Sequence, residues 1–386
     1  MNVLIAGYPY IKENYLKTFN YYPEGDKVFF LLPKIWKAKG GKLKFKPPRK
    51  DNVYTANAYF FHSNYPVVGG LLKGWMPAFA LVLFRIRKKI DIVYSPSEPI
   101  LLTTLYQGFW TKFFGKKHVM FTWENIPYEE KFSGLNLILK RIILQLNLSF
   151  ADGVICGNKK GEAMFKKITN KPIVVIPLSG VDTDFFRREA DSFKKIENSD
   201  LTGKIVFNFS GAIGYRKGLH VILKAFKKVL DGIPNAHLLI VGSGEYENQM
   251  LELVKELDLN KNLTLISWLN GEGLKKAFNV SDVFLYPSLS YGGWEEQFGY
   301  SMAEASLMEL PIITTRTGSI DEVVVDGKTG LLIEADNEGQ LADAMMSLGR
   351  DLELRKKMGQ AGRKYIEDNF SYSGIADKFH KFFSSL

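Results

Sequence analysis

The feature that most constrains this chain is a rhythm of strands and helices that stops once and then starts again. The first set of strand-like runs is Asn2–Ala6, Val28–Leu32, Tyr54–Phe61, Ile90–Tyr94, Lys117–Thr122, Gly153–Cys156 and Ile173–Ile176. Ile100–Phe114, Leu135–Phe150 and Lys159–Lys167 read as helices between them. Apolar strands separated by helices predict parallel βαβ units with right-handed crossovers, buried on both faces. The segment Pro177–Asp191 breaks the rhythm, and Asp191–Gly203 is polar with no apolar period. The alternation resumes with strands at Ile205–Phe209, His237–Val241, Leu263–Ser267 and Val283–Tyr286 and helices at Lys217–Leu230, Glu245–Leu257 and Gly271–Asn279. Helices at Glu338–Gly349, Asp351–Asn369 and Ser373–Phe383 close the chain. The expected class is α/β, with two doubly wound domains at 1–180 and 201–372 joined by a linker at 181–200. Doubly wound sheets bind ligands beyond the carboxyl ends of their strands, so two of them facing each other make a cleft.

Chemistry concentrates in Tyr291–Thr315, YGGWEEQFGYSMAEASLMELPIITT. This reads as loop, short helix over Tyr300–Glu309, then a β-branched strand after Pro311. Glu296 precedes the helix and Glu304 lies one turn inside it. Helical side chains lean toward the amino end, so Glu304 points back at whatever occupies that end. The amides and dipole there favour an anion such as phosphate. Two carboxylates flanking a phosphate, each accepting two hydrogen bonds from a vicinal diol, are suited to a nucleotide sugar. The plain alternative is a surface helix residue and a loop charge.

A second candidate is Ser210–Gly218, SGAIGYRKG, which joins a strand to the helix from Lys217. A glycine-rich turn ending in Arg216-Lys217 at a helix start suits a diphosphate. It lacks the G-x-x-x-x-G-K-[ST] spacing of a P-loop. Val241-Gly242-Ser243-Gly244 has no third glycine at dinucleotide-binding spacing.

These segments together resemble the retaining GT-B glycosyltransferases of family 4, the glycosyl transferases group 1. Glu296 and Glu304, with seven residues between them, resemble the family's E-x7-E motif. The turn at 210–218 resembles its G-R-x-x-x-x-K-G turn, with Lys217-Gly218 matching and Ala212 standing where the family has Arg. Val241–Gly244, Asp282–Ser288 and Gly318–Leu331 resemble further family segments, so the likeness runs from about Ile205 to Leu332. The resemblance implies a GT-B fold of two Rossmann-like domains, with the last helix, 373–386, packing back on the first. It implies donor binding by Gly211, Arg216, Lys217, Gly242, Trp268, Glu296, Gln297, Phe298, Gly299, Tyr300 and Glu304. Of these, Glu304 takes ribose hydroxyls, Glu296 sugar hydroxyls, and Lys217 the leaving diphosphate. Trp268 stacks on the base in this reading; as a lone aromatic it would otherwise be core. The expected chemistry is front-face displacement with retention, without cofactor or metal. The N-terminal half is less similar, having Gly7-Tyr8 where the family has Gly-Gly and Phe121–Asn125 where it often has a His-acid pair. Gly7 and Tyr8 are therefore expected on the acceptor side. Glu124 is expected near the reacting sugar, unless it merely caps Asn125–Lys131.

Charge bears on partners. The net charge is +10, and Lys34–Lys50 holds eight basic residues and no acid. Val67–Ile90 is apolar and aromatic and ends in Arg85, Arg87, Lys88 and Lys89. Lys73 and Pro77 break it below the ~20 residues of a membrane span, leaving a buried helix with a solvated basic end or an interfacial helix. The partners expected are a nucleotide sugar, a glycan or lipid-linked acceptor and an anionic membrane surface, with no nucleic acid. A strand close behind Met1 argues against a signal peptide, and a single cysteine, Cys156, fits a reducing compartment. The expected location is the cytoplasm, at the inner face of the membrane. Asp182-Thr183-Asp184 is formally D-x-D but lies in the linker, and five scattered histidines offer no metal cluster. Two rivals stay open: a GT-B phosphorylase, and a nucleic-acid-binding protein using the basic arm.

Overall fold

A computed structural model of the protein describes residues 1–37, 44–61, 68–189 and 194–386. It divides into two compact units, Met1–Gly180 with Tyr372–Leu386, and Val181–Ser371.

The first unit is built on seven parallel strands: β1 Val3–Ala6, β2 Val28–Pro33, β3 Val53–Ala56, β4 Ile92–Ser95, β5 Lys117–Thr122, β6 Gly153–Cys156 and β7 Ile173–Val175. Their order is β3-β2-β1-β4-β5-β6-β7. The inner five are almost wholly buried because the sheet is covered on both faces, while the edge strands β3 and β7 are only partly so. Helices α1 Phe79–Ile86, α2 Leu102–Phe113 and α3 Gly134–Phe150 cover one face. Leu4, Leu31 and Val93 meet Phe79, Leu83 and Ile86 there, and Met120 and Cys156 meet Leu144 and Leu148. Pairing of Leu4 with Val93, Val93 with His118 and Met120 with Val154 puts these side chains on one side of the pleat.

The second unit has six parallel strands: β8 Ile205–Ser210, β9 Ala236–Val241, β10 Leu263–Ile266, β11 Val283–Tyr286, β12 Ile312–Thr315 and β13 Gly330–Ile333. Their order is β10-β9-β8-β11-β12-β13. The order reverses between β8 and β11, which pair through Phe207 with Val283 and Asn208 with Phe284. The main helices are α4 Leu219–Gly232, α5 Tyr300–Leu307, α6 Glu338–Arg350 and α7 Leu352–Phe370. The final helix, α8 Tyr372–Ser385, belongs to the first unit, where Phe379 meets Phe19 and Tyr94 on the sheet face opposite α1–α3.

Several expected bounds move for local reasons. The strand expected over Tyr54–Phe61 stops at Ala56, and Phe60 has φ +57°. The helix expected from Lys217 begins at Leu219, because Gly218 adopts φ +70° between it and a 3-10 turn at Tyr215–Lys217. The helix expected to Glu309 stops at Leu307, with Glu309 itself at φ +58°. Within Val67–Ile90 only Val68–Leu71 and Phe79–Ile86 are helical, and Val67 lies outside the described residues. Residues 38–43 of the basic arm also lie outside them. Trp36 is buried and stacks on Tyr8 at 4.2 Å, so that aromatic is not displayed.

Candidate active site

The break in strand order of the second unit leaves a crevice at the carboxyl ends of β8 and β11. Two loops enter it. After β8 the chain turns through Gly211–Gly214 into Tyr215–Lys217 and reverses at Gly218. A Cβ on Gly218 would stand 2.1 Å from the carbonyl oxygen of Pro287, so glycine lets this turn pass the end of β11. The second loop, after β11, brings in Trp294 and Glu296. It is fixed from below by the Ser319 amide, which donates to the Glu296 carbonyl at 2.9 Å.

The loops meet in a buried cluster. The Lys217 ammonium donates to the Glu296 carboxylate and to the Tyr286 hydroxyl. Tyr286 donates in turn to Glu296 Oε2 at 2.7 Å. The Arg216 guanidinium lies 3.5 Å from the centre of the Trp294 ring, and its Nη1 is 3.9 Å from Glu296 Oε2. That Nη1 is buried without a hydrogen-bond partner among the described residues. An unsatisfied buried donor beside a second cation is a ready seat for an anion. Burial alone raises the Glu296 pKa, but the Lys217 charge, hydrogen bonds from Lys217 and Tyr286, and Arg216 hold it below the ordinary glutamate value. Burial pulls Lys217 below the usual lysine value, against the attraction of Glu296. The cluster is an ionised pair with excess positive charge. Lys217 was expected in the first turn of a helix; it stands instead in a 3-10 turn, held there by its partners.

Glu304 is the fifth residue of α5, whose N-cap, Gly299, has no side chain to cap it. Its carboxyl is half-buried and has no side-chain partner among the described residues. Burial raises its pKa to about 8. Such a group is suited to hydroxyls, which donate to it or accept from it according to its protonation. Gly299 starts the helix at φ +82°, and Phe298 is buried against Tyr300 and Phe370. Gln297 is half-buried beside Glu296. Gly242 follows β9 with φ +147°, where a Cβ would meet the Gly211 carbonyl oxygen at 1.9 Å. These two glycines let the ends of β8 and β9 touch. Trp268 follows the outermost strand, β10, and is 68% exposed, so the alternative of a core residue fails. If it stacks on a base, Trp268→Ala is expected to weaken nucleotide binding by about 1–3 kcal/mol, the range for base–aromatic stacking, in a fluorescence titration.

Tyr286, Trp294, Thr317 and Gly318 escaped the sequence reading. Thr317 and Thr315 both donate to the Ser288 carbonyl, fastening β12 to the loop after β11. Nothing in a tyrosine before a proline marks a partner for a glutamate ten residues on; only the burial of Lys217 does.

In the first unit the expected residues stand at strand ends but do not form one cluster. The Tyr8 ring stacks on Trp36, and the Lys73 ammonium lies 4.8 Å from its centre. A Cβ on Gly7 would meet Pro96 Cγ at 2.6 Å, so glycine here lets the ends of β1 and β4 close up. Glu124 departs from expectation. Lys131 holds its carboxylate at 2.8 and 2.9 Å, and the Asn125 and Ile126 amides donate to it at 3.3 and 3.4 Å. That is the capping alternative, not an available acid or base. Glu98, not singled out in the sequence, accepts from the Thr122 hydroxyl at 2.7 Å and the Trp123 amide at 2.9 Å. Burial and then the Glu124 charge raise it to about 7. No group of three or more His, Cys, Asp or Glu side chains fit for a metal occurs among the described residues. Asp182 is occupied in accepting the Phe185 amide at 3.0 Å.

Residues 190–365 match the family model of the glycosyl transferases group 1. A capsular polysaccharide biosynthesis glycosyltransferase of Staphylococcus aureus is 30% identical over 210 residues, 54% of this chain and 53% of that one. A GDP-mannose-dependent phosphatidylinositol monomannoside mannosyltransferase of Corynebacterium glutamicum is 30% identical over 207 residues, 52% and 53% of the two chains. The chain thus spans about half the length of the curated relatives it matches. Over the whole of both chains the fold is that of Anabaena Alr3699/HepE, solved with UDP, at TM-score 0.76 and 18% identity. The sucrose-phosphate synthase of Thermosynechococcus elongatus gives 0.72 at 16%, covering 98% of that chain. Two parallel-sheet Rossmann-like domains make the architecture GT-B, and the segment 190–365 is similar to the glycosyl transferases group 1.

Proposed function

We propose that the protein is a retaining glycosyltransferase that moves a sugar from a nucleoside-diphosphate sugar to a glycan or lipid-linked acceptor at a membrane surface. The observation that carries this reading is the cluster of Lys217, Glu296 and the orphaned Arg216 donor at the strand-order switch. In the reaction the bond from the anomeric carbon to the β-phosphate oxygen breaks. A bond to the acceptor oxygen forms, and the acceptor proton passes to the leaving diphosphate. Charge develops on that diphosphate, where Lys217 and Arg216 stabilise it. Arg216 supplies the cation missing at Ala212. Glu296 holds Lys217 in place and faces the sugar hydroxyls. Glu304 takes the ribose, Trp268 the base, and the backbone at Phe298–Tyr300 the sugar and phosphate. Gly7 and Tyr8 line the acceptor side, and no metal is required. Relatives named for GDP-mannose and a neighbour solved with UDP-glucose support a nucleoside diphosphate without choosing the base. A phosphorylase on the same fold predicts turnover of inorganic phosphate.

The test is calorimetric titration of UDP, GDP and ADP into the wild type and Glu304→Ala. One nucleotide is expected to bind, and the substitution to weaken it by about 1–3 kcal/mol, the cost of a lost charged hydrogen bond. Binding that ignores Glu304, or no binding at all, refutes the donor site. Glu304 also predicts a pH signature. Its folded pKa of about 8 lies above the ordinary 4.5, so the folded state holds its proton more tightly than the unfolded state. Stability therefore falls as pH rises from about 4.5 to about 8. Glu304→Gln is expected to raise Tm at alkaline pH and leave it unchanged near pH 4.

A further inference from the structure

The charge of the chain is unevenly divided. The unit of residues 1–180 and 372–386 holds 29 Lys and Arg against 12 Asp and Glu, a net +17. Residues 181–371 hold 22 against 29, a net −7. The whole positive excess therefore lies on one unit, and the Lys34–Lys50 arm supplies only eight of its charges.

Helices α1, α2 and α3 form one layer on the sheet of that unit. Crossover helices of a doubly wound sheet ordinarily turn a polar face outward. These do not. On α3 the residues Leu135, Ile138, Leu139, Ile142 and Leu146 follow helical spacing along one stripe, and all are exposed, Leu135 by 84%. Phe109 and Phe113 are exposed on α2, and Leu81 and Phe84 on α1. Ring contacts link the three helices: Phe84 meets Phe114 at 5.8 Å, Phe114 meets Phe113 at 5.2 Å, and Phe109 meets Phe150 at 6.1 Å. Beside α3 runs a groove of about 780 Å³ lined by Ile142, Leu146, Met164 and Ile168, with Arg141, Lys167 and Glu129 at its edge. A contiguous apolar surface of this extent marks an interaction site.

Charge identifies the partner. None of the three helices contains an acidic residue. Arg85, Lys112 and Arg141 lie on them toward the surface, Lys140 is buried beside Phe132, and Arg87–Lys89 and Lys116–Lys117 follow α1 and α2. The nearby acids Asp152 and Glu129 are paired with Lys112 and Arg141. No helix among the described residues is long and apolar enough to cross a bilayer. An apolar face fringed by more cations than acids fits the interface of an anionic bilayer, its apolar side chains among the acyl chains and its cations at the headgroups.

We infer that the outer face of α1–α3, and not the Lys34–Lys50 arm, is the surface by which this protein docks on an anionic membrane. The inference deepens the membrane-surface part of the proposed function and does not depend on donor chemistry. Its test is co-sedimentation of the full chain with vesicles of phosphatidylglycerol and phosphatidylcholine, against phosphatidylcholine alone. Binding is expected to the anionic vesicles only and to fall with salt. Ile138→Gln with Ile142→Gln, and separately Phe113→Ser, are expected to reduce it about tenfold or more. Their unchanged thermal melts would show that the fold survives, since the residues are exposed. Loss of binding on replacing the arm lysines, but not with the helix substitutions, overturns the inference. So does equal binding to both vesicle types, or no vesicle binding together with self-association that the same substitutions abolish. Calorimetric failure of the nucleotide site would leave these outcomes untouched, so the two readings fail separately.

Discussion

Lys217→Met is expected to slow sugar transfer about 10³-fold, the upper cost of removing one preorganised electrostatic group from a transition state. The readout is release of nucleoside diphosphate from whichever nucleotide sugar the protein turns over. The same substitution is expected to destabilise the fold by about 3–5 kcal/mol, because it leaves Glu296 buried and ionised without its main partner. The two effects separate in a second variant. Lys217→Met with Glu296→Gln removes both charges while keeping an acceptor for the Tyr286 hydroxyl. It is expected to recover most of the stability and none of the activity. Recovery of both would mean that Lys217 is structural only. The sign of the pH dependence gives an independent check. In the wild type, Glu296 is held below its ordinary value, so its stabilisation is complete above that value and is lost as pH falls through the folded pKa. Without Lys217, burial dominates and raises Glu296, so the variant is expected to gain stability as pH falls toward the acid range.

The fold was legible because strands buried on both faces leave an unmistakable apolar run. Val3–Ala6, Ile92–Ser95 and Ala236–Val241 were each located to within a residue or two. Tyr54–Phe61 was overread because aromatic content suggests a strand, whereas the backbone turns at Phe60. The site was legible in its charges and not in its supports. Glu296, Glu304 and Lys217 stand out as carboxylates and a cation beside glycine-rich turns. Tyr286 and Trp294 look like any aromatics near a strand end, and their role exists only once β8 and β11 lie side by side. Glu124 misled for the opposite reason. The resemblance implied a reactive carboxylate after this strand, but Lys131, seven residues on, closes over Glu124. An apolar helix between two strands usually is core, so nothing in Leu135–Phe150 read alone marks an outward apolar face. Only the placement of Ile143, Leu144 and Leu148 inward leaves Ile138, Leu139 and Ile142 outward.

Gly318→Ala is expected to disable the protein without touching a single functional group. Gly318 adopts φ +60°, and a Cβ there would lie 2.0 Å from the carbonyl oxygen of Glu296. No rotamer relieves a collision between a Cβ and a backbone atom, so the loop carrying Glu296 must move. The Ser319 amide, which fixes that loop at 2.9 Å, moves with it. A displacement near 1 Å at a reacting centre costs about 10² in rate, and the left-handed backbone adds about 1–3 kcal/mol of strain for a residue other than glycine. Gly327 provides the control. It too has positive φ, +70°, but a Cβ there has nothing within 4 Å. Gly327→Ala therefore carries the backbone cost and none of the collision. Both variants are expected to melt earlier than the wild type, whereas only Gly318→Ala is expected to lose transfer by 10² or more. If the two lose activity equally, the damage is general and the Glu296 loop is not what Gly318 protects. If neither does, Glu296 is not held where transfer requires it, and the cluster with Lys217 loses its claim to the reaction.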